Sequence, residues 1–117
     1  MSETKYRTII AYKNYFEEFL IEQSQKVKDK IIWTFQLIEE LPRVPETYLK
    51  HIEDSSGLYE IRVQQGGEIY RIFCFFDRDN LVAILNGFQK KTQRTPIKEI
   101  ETATLIMKEY FNEKESY

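Results

Sequence analysis

The chain predicts an α+β fold: an antiparallel β-sheet packed against two N-terminal helices, with a C-terminal helix. Three observations predict it. Apolar residues recur at helical spacing between Asn14 and Leu41. Between Leu58 and Phe88 the period changes to two, in three runs separated by turn residues. Thr95-Pro96 then opens another helical stretch. The resulting order is β-α-α-β-β-β-α, with the helices expected on one face of an antiparallel meander.

Each element has its own local reason. Lys5–Tyr12 mixes β-branched and aromatic residues and predicts a short strand. Asn14 can cap a helix in which Tyr15, Phe16, Phe19 and Leu20 form one stripe. From about Gln23 to Leu41, Val27, Ile31, Phe35 and Ile38 share a face, widened by Ile32, Trp33 and Leu37. Trp33 is expected in the core, and Pro42 and Pro45 stop the helix. Arg43–Ser56 is irregular and is assigned to a loop with a short helical turn. Leu58–Gln64 alternates, Gln65-Gly66-Gly67-Glu68 turns, Ile69–Phe76 forms a central strand, Asp77–Asn80 turns again, and Leu81–Phe88 is the third long strand. In the last helix Thr95 caps, Pro96 takes the first position, and Ile100, Leu105, Ile106 and Tyr110 mark the apolar face.

Length and composition set the bounds. With 117 residues, 42% hydrophobic and 15% aromatic, the sequence suits one domain spanning 1–117 with a single core. No run approaches the ~18 apolar residues of a membrane span, and Met1–Tyr6 lacks the pattern of a secretory signal. Cys74 is the single cysteine; it sits in an apolar run, which fits a reducing cytoplasm and excludes an intrachain disulfide. The net charge of −2 is unevenly spread. Leu58–Lys98 holds seven basic and four acidic residues, a balance of +3, against ten and fifteen elsewhere, a balance of −5. Such asymmetry points to a basic face for a polyanion, or to ordinary solvated strand charges.

Face assignment suggests where chemistry sits. With Tyr59, Ile61 and Val63 turned to the helices, Glu60 and Arg62 face the open side of the sheet. On the next strand Arg71, Phe73 and Phe75 form the set opposite Tyr70, Ile72, Cys74 and Phe76; an arginine is expected outside a core, which puts Arg71 beside Arg62. Both sets of the third strand are mostly apolar, so its facing stays open. The connection Gln89–Arg94 is basic. A concave surface with Arg62, Arg71, Lys90, Lys91 and Arg94, and with Phe73 and Phe88 as stacking platforms, would suit single-stranded RNA. The alternative is that Arg62 and Arg71 pair with Glu60 and Glu68 across a hairpin. His51 lacks a second ligand for a metal site, Gly66-Gly67 is a turn and not a phosphate loop, and no Ser/His/Asp set can be assembled.

The segments Gly57–Arg62, Ile69–Ile72, Leu85–Thr92, Thr95-Pro96 and Glu99-Ile100 together resemble the phage-derived HigB-like branch of the RelE toxins. The resemblance spans about Leu41 to Ala103. It implies a RelE-like fold, a HigA-type helix-turn-helix antitoxin as partner, and cleavage of mRNA on the ribosome by 2′-hydroxyl attack, with no metal or small-molecule cofactor. It further implies that Arg71 contacts the scissile phosphate, that Arg62 is a second catalytic cation, and that Lys90 or Lys91 supplies the basic position after the last strand. Glu60 stands where some of these toxins carry lysine, as a general base or an ion-pair partner, and Glu46 is another base candidate. Asn86 replaces a histidine, and the base-stacking C-terminal tyrosine has no counterpart beyond Phe88 or Phe73. Two functions follow: an endoribonuclease toxin, or a non-catalytic module that binds antitoxin or nucleic acid.

Overall fold

A computed structural model describes residues 5–90 and 95–115, of Lys90 the backbone alone. The elements are β1 (Thr8–Ala11), α1 (Tyr15–Leu20), α2 (Gln25–Glu40), β2 (Leu49–His51), β3 (Leu58–Gln65), β4 (Glu68–Arg78), β5 (Leu81–Lys90) and α3 (Ile97–Glu115). The five strands form one sheet in the order β1-β5-β4-β3-β2. The fold is α+β as expected, with three corrections to the arrangement.

The sheet is mixed. β2 to β5 make an antiparallel meander, but β1 lies parallel to β5, with Thr8 opposite Leu81 and Ala11 opposite Ile84. The loop expected over Arg43–Ser56 contains β2, which pairs Lys50 with Glu60 and His51 with Tyr59. The turn back to β3 is closed locally: Asp54 and Gly57 adopt positive φ of 61° and 100°, and the Ser55 hydroxyl donates to the Ile52 carbonyl (2.6 Å) and accepts from the Leu58 N–H (3.1 Å). Gly66 and Gly67, at φ 61° and 82°, form the β3–β4 turn with a twist that matches the strands.

The helices cover both faces of the sheet, which corrects the single-faced expectation. On one side Phe16 and Phe19 of α1 and Val27, Ile31 and Ile38 of α2 pack on Ile61, Val63, Tyr70, Ile72, Cys74, Val82 and Ile84. On the other, Ala103, Ile106 and Met107 of α3 pack on Leu58, Phe73, Phe75, Ala83 and Leu85. This resolves β5: both of its sets are apolar because both are buried. The stripe of α2 is narrower than expected. Ile32 and Trp33 are 51% and 43% exposed, since one and two positions past Ile31 rotate them off the buried face. Leu105 is likewise exposed, with Ala103 and Met107 taking the buried positions beside Ile106.

Polar contacts hold the ends. Ser24 caps α2 through the Val27 N–H (3.3 Å), whereas the Asn14 side chain does not cap α1 and instead bonds Glu18. At the other end of α2 the Arg7 guanidinium donates to the carbonyls of Ile38, Leu41 and Pro42 at 3.0, 2.7 and 3.0 Å, satisfying helix-end acceptors that would otherwise lack partners. The Glu39 carboxylate accepts from the Ile9 N–H (2.9 Å), which occupies the outer edge of β1. α3 is fastened along its second half. Tyr110 and Lys114 donate to Asp77 at 2.7 and 2.6 Å, and Tyr15 and Lys13 donate to Glu109 at 2.7 and 3.1 Å.

Two outcomes test this packing. A Cβ on Gly87 would stand 2.7 Å from the Phe19 ring, which is itself buried; Gly87→Ala is expected to cost about 1–3 kcal/mol in urea denaturation. The second concerns acid. Lys114 and Tyr110 hold the Asp77 carboxyl below its ordinary value against the effect of its burial, and Tyr15 and Lys13 do the same for Glu109. Depressed folded-state values mean that this stabilisation is complete above the unfolded-state values and lost as pH falls through the folded ones. Stability should therefore decline below about pH 4, and Asp77→Asn should flatten that decline while lowering stability at neutral pH. A pH profile unchanged by Asp77→Asn would remove Asp77 from the account.

Candidate functional site

In the β3–β4 register Arg62 lies opposite Arg71 and Glu60 opposite Phe73, so all four side chains belong to the α3 side of the sheet. The expectation of an open face there is overturned for three of them. Arg71 is 2% exposed and Glu60 5% exposed, and the Arg71 Nη1 and Glu60 Oε1 atoms form a buried ion pair. The Thr95 hydroxyl donates to the second Glu60 oxygen at 3.3 Å, so Thr95 turns toward the sheet just before α3 begins. Phe73 is wholly buried and stacks on Phe88 with centroids 5.3 Å apart. It is therefore a core ring and not a platform for a base; Phe88 is half-buried. The physical reason is the counter-charge: an arginine can enter an interior when a carboxylate of the neighbouring strand meets it there. The pairing of Arg71 with Glu60 matches the hairpin alternative, while Glu68 bonds Gln89 instead of Arg62.

Arg62 has a different environment. Because β2 pairs only with residues 59–61 and a single further bond reaches Arg62, the edge of β3 is uncovered beyond Arg62, and the chain from α2 bows away from it. The bow is fixed by Pro45, whose carbonyl accepts from the Tyr48 N–H at 2.9 Å, while the Tyr48 carbonyl accepts from the Arg62 N–H at 2.9 Å. The space left is a cleft of about 570 Å³ lined by Lys30, Thr34, Glu46, Thr47, Tyr48, Lys50, Arg62, Val63, Gln64 and Ile69. Its charged residues are three cations, Lys30, Lys50 and Arg62, and one carboxylate, Glu46. The side chains of Lys50, Arg62 and Glu46 make no hydrogen bond or ion pair with another described residue. A half-buried guanidinium with its donors free can hold an anionic phosphate, and an ammonium and a carboxylate in the same lining are groups able to move a proton.

Sequence reasoning placed Arg62 at the surface and named Glu46, but missed Lys30, Tyr48 and Lys50. The available signal was the strand character of Leu49-Lys50-His51, which puts Lys50 opposite Glu60 and so on the face that carries Arg62. The Lys90 side chain, Lys91 and Arg94 lie outside the described residues. Asn86 lines a separate cleft between α1 and α3 with Tyr15, Phe19, Gly87 and Leu105. His51 is exposed and meets only the Tyr59 ring edge-on at 5.1 Å. Among the described residues no group of three His, Cys, Asp or Glu is placed to hold a metal ion, and no helix is long and apolar enough to cross a membrane. Burial pushes the Cys74 thiol well above its ordinary value, which leaves it protonated and a poor nucleophile.

The geometry defines a class: a small α+β protein with helices on both faces of a mixed sheet and a cationic cleft at one sheet edge. Within that class the chain belongs to the phage-derived Gp49-like protein family, which matches residues 18–108, from α1 into α3. No curated protein matches it.

The ion pair yields a test that separates folding from function. Arg71→Ala leaves the Glu60 charge buried and alone, and is expected to destabilise the protein by about 3–5 kcal/mol. Replacing both partners by apolar side chains, as in Glu60→Leu with Arg71→Met, should recover most of that loss in thermal unfolding. Equal destabilisation by the single and double variants would deny the pairing.

Proposed function

We propose that this protein is the toxin of a toxin–antitoxin pair of the RelE/HigB kind, a ribosome-dependent endoribonuclease that cuts mRNA and inhibits translation in the cytoplasm. Membership of the phage-derived Gp49-like family, which is loosely linked to such toxins, supports the reading. The observation that carries it is the unengaged Arg62 in a cleft with Lys50, Lys30 and Glu46. Cations with free donors suit the phosphates of a single strand, and a carboxylate beside them suits proton transfer.

The chemistry follows from those groups. Arg62 holds the non-bridging oxygens of the scissile phosphate and stabilises the charge that grows on them. Glu46 takes the proton of the 2′-hydroxyl as its oxygen bonds to phosphorus. The bond from phosphorus to the 5′-oxygen breaks, Lys50 supplies the proton to that oxygen, and the products are a 2′,3′-cyclic phosphate and a 5′-hydroxyl. Arg71 and Glu60, paired beneath the surface, fix the strand that presents Arg62, in place of the direct phosphate contact implied by the resemblance. Lys90, Lys91 and Arg94 supply further cationic contacts to the strand. A HigA-type helix-turn-helix antitoxin is the partner that silences the protein, and no metal or small-molecule cofactor enters the reaction.

A second reading has its own support. Burial of Glu60, Arg71 and Phe73 removes three expected site residues from the surface, as befits a module that binds antitoxin or nucleic acid without cutting it. Mapping mRNA 5′ ends on ribosomes programmed with a defined message decides between them. New ends within the ribosomal A site, reduced roughly 100-fold or more in rate by Arg62→Ala while unfolding remains unchanged, are expected of the toxin. Intact message at saturating protein would establish the binding module.

A further inference from the structure

Trp33 is the only tryptophan of the chain and is 43% exposed on the outer face of α2. It does not serve the packing of that helix, which rests on Val27, Ile31, Thr34 and Ile38. Instead it faces outward beside the Arg62 cleft. The Lys30 ammonium lies 4.2 Å above the indole centroid, and Tyr48 meets the indole edge-on at 5.9 Å. A second, shallower cleft of about 430 Å³ runs past Trp33 between Lys26, Asp29, Lys30 and Gln65. Lys30 lines both clefts, and Tyr48 of the first meets Trp33 of the second, so the two adjoin along one track.

We infer that this track is the continuation of the RNA site: a single strand held at Arg62 runs on over α2, where Trp33 and Tyr48 stack a flanking base and Lys30 and Lys26 take its phosphates. The inference rests on the RNA reading of the Arg62 cleft and extends it by at least one nucleotide. Exposed aromatic faces beside cations are the combination that binds single strands without a sequence requirement, because every base offers a π-face and every linkage a charge. The Lys30 ammonium occupies the indole face where a base would stack. An exposed cation–π contact is weak enough to exchange for base stacking, and the long lysine stem lets the ammonium swing to the adjacent phosphate.

The lone tryptophan makes the test direct. The full-length protein is titrated with single-stranded oligouridylate, following Trp33 fluorescence in one channel and the anisotropy of an end-labelled oligonucleotide in the other. Saturable quenching that tracks the anisotropy is expected, with binding weakened roughly tenfold by Trp33→Leu and less by Lys30→Gln. Thermal unfolding of both variants checks that the fold is kept. Binding that depends on Arg62 but leaves Trp33 fluorescence and the Trp33→Leu affinity unchanged would overturn the extension and leave the cleft reading standing. Binding indifferent to Arg62→Ala would overturn the cleft reading itself, and the extension with it. No binding in either channel would likewise overturn both and leave the aromatic face to a protein partner.

Discussion

The rest of the α3 side of the sheet depends on the buried pair between Glu60 and Arg71. Neither charge is tolerable there without the other, because desolvation of a lone ion costs several kcal/mol. The pair therefore penalises any slip of β3 against β4: a shift by one residue would carry one charge into the apolar packing of α1 and α2 and strand its partner. It also reaches forward in the chain, since Thr95 bonds the free oxygen of Glu60 two residues before α3 begins. One ionic contact thus couples strand register to the point from which the last helix departs. The aromatic cluster of Tyr12, Phe75, Tyr110 and Phe111 then fastens the far end of that helix, with ring centroids 5.0–5.3 Å apart.

The candidate site arises from an element that is too short. β2 pairs with three residues of β3 and then stops, because Pro45 and the turn at Tyr48 divert the chain. A longer strand would have paired the β3 edge beyond Arg62 and filled the cleft that Lys50, Arg62 and Glu46 now line. The opposite edge is treated differently: β1 is closed by Glu39 and Tyr6 contacts to the end of α2. The two sheet edges are thus managed in opposite ways, one sealed by side chains and one left open as a cationic cleft.

Much of the fold was legible because local pattern and final environment agree. Alternation in Leu58–Gln64 and Ile69–Phe76 assigned Ile61, Val63, Ile72 and Cys74 to the α1–α2 side, where they lie. Legibility failed where the deciding information was not local. Nothing in Thr8–Ala11 says that its partner is β5 or that the pairing is parallel. The apolar character of both faces of β5 was a sign of two-sided burial, but one strand alone does not distinguish this from a loosely specified edge. Arg71 was misplaced because a charged residue was judged singly, without the carboxylate that the neighbouring strand brings to it. Lys50 was missed for a related reason: its significance comes from a three-residue strand that periodicity does not resolve. Arg62 was legible because its exposure agrees with its chemistry.

The parallel seat of β1 has a consequence for the order in which the chain assembles. The meander from β2 to β5 and the helix α2 close through short connections and can form as each segment appears. β1 finds its strand partner only at Leu81–Ile84, so a loop of some seventy residues must close before it is paired. Arg7 and Glu39 can tie this segment to the last turn of α2 earlier, but they give it no strand neighbour. The first strand to be made is among the last to be fixed, and a ribosome must complete most of the chain before the sheet acquires its fifth strand.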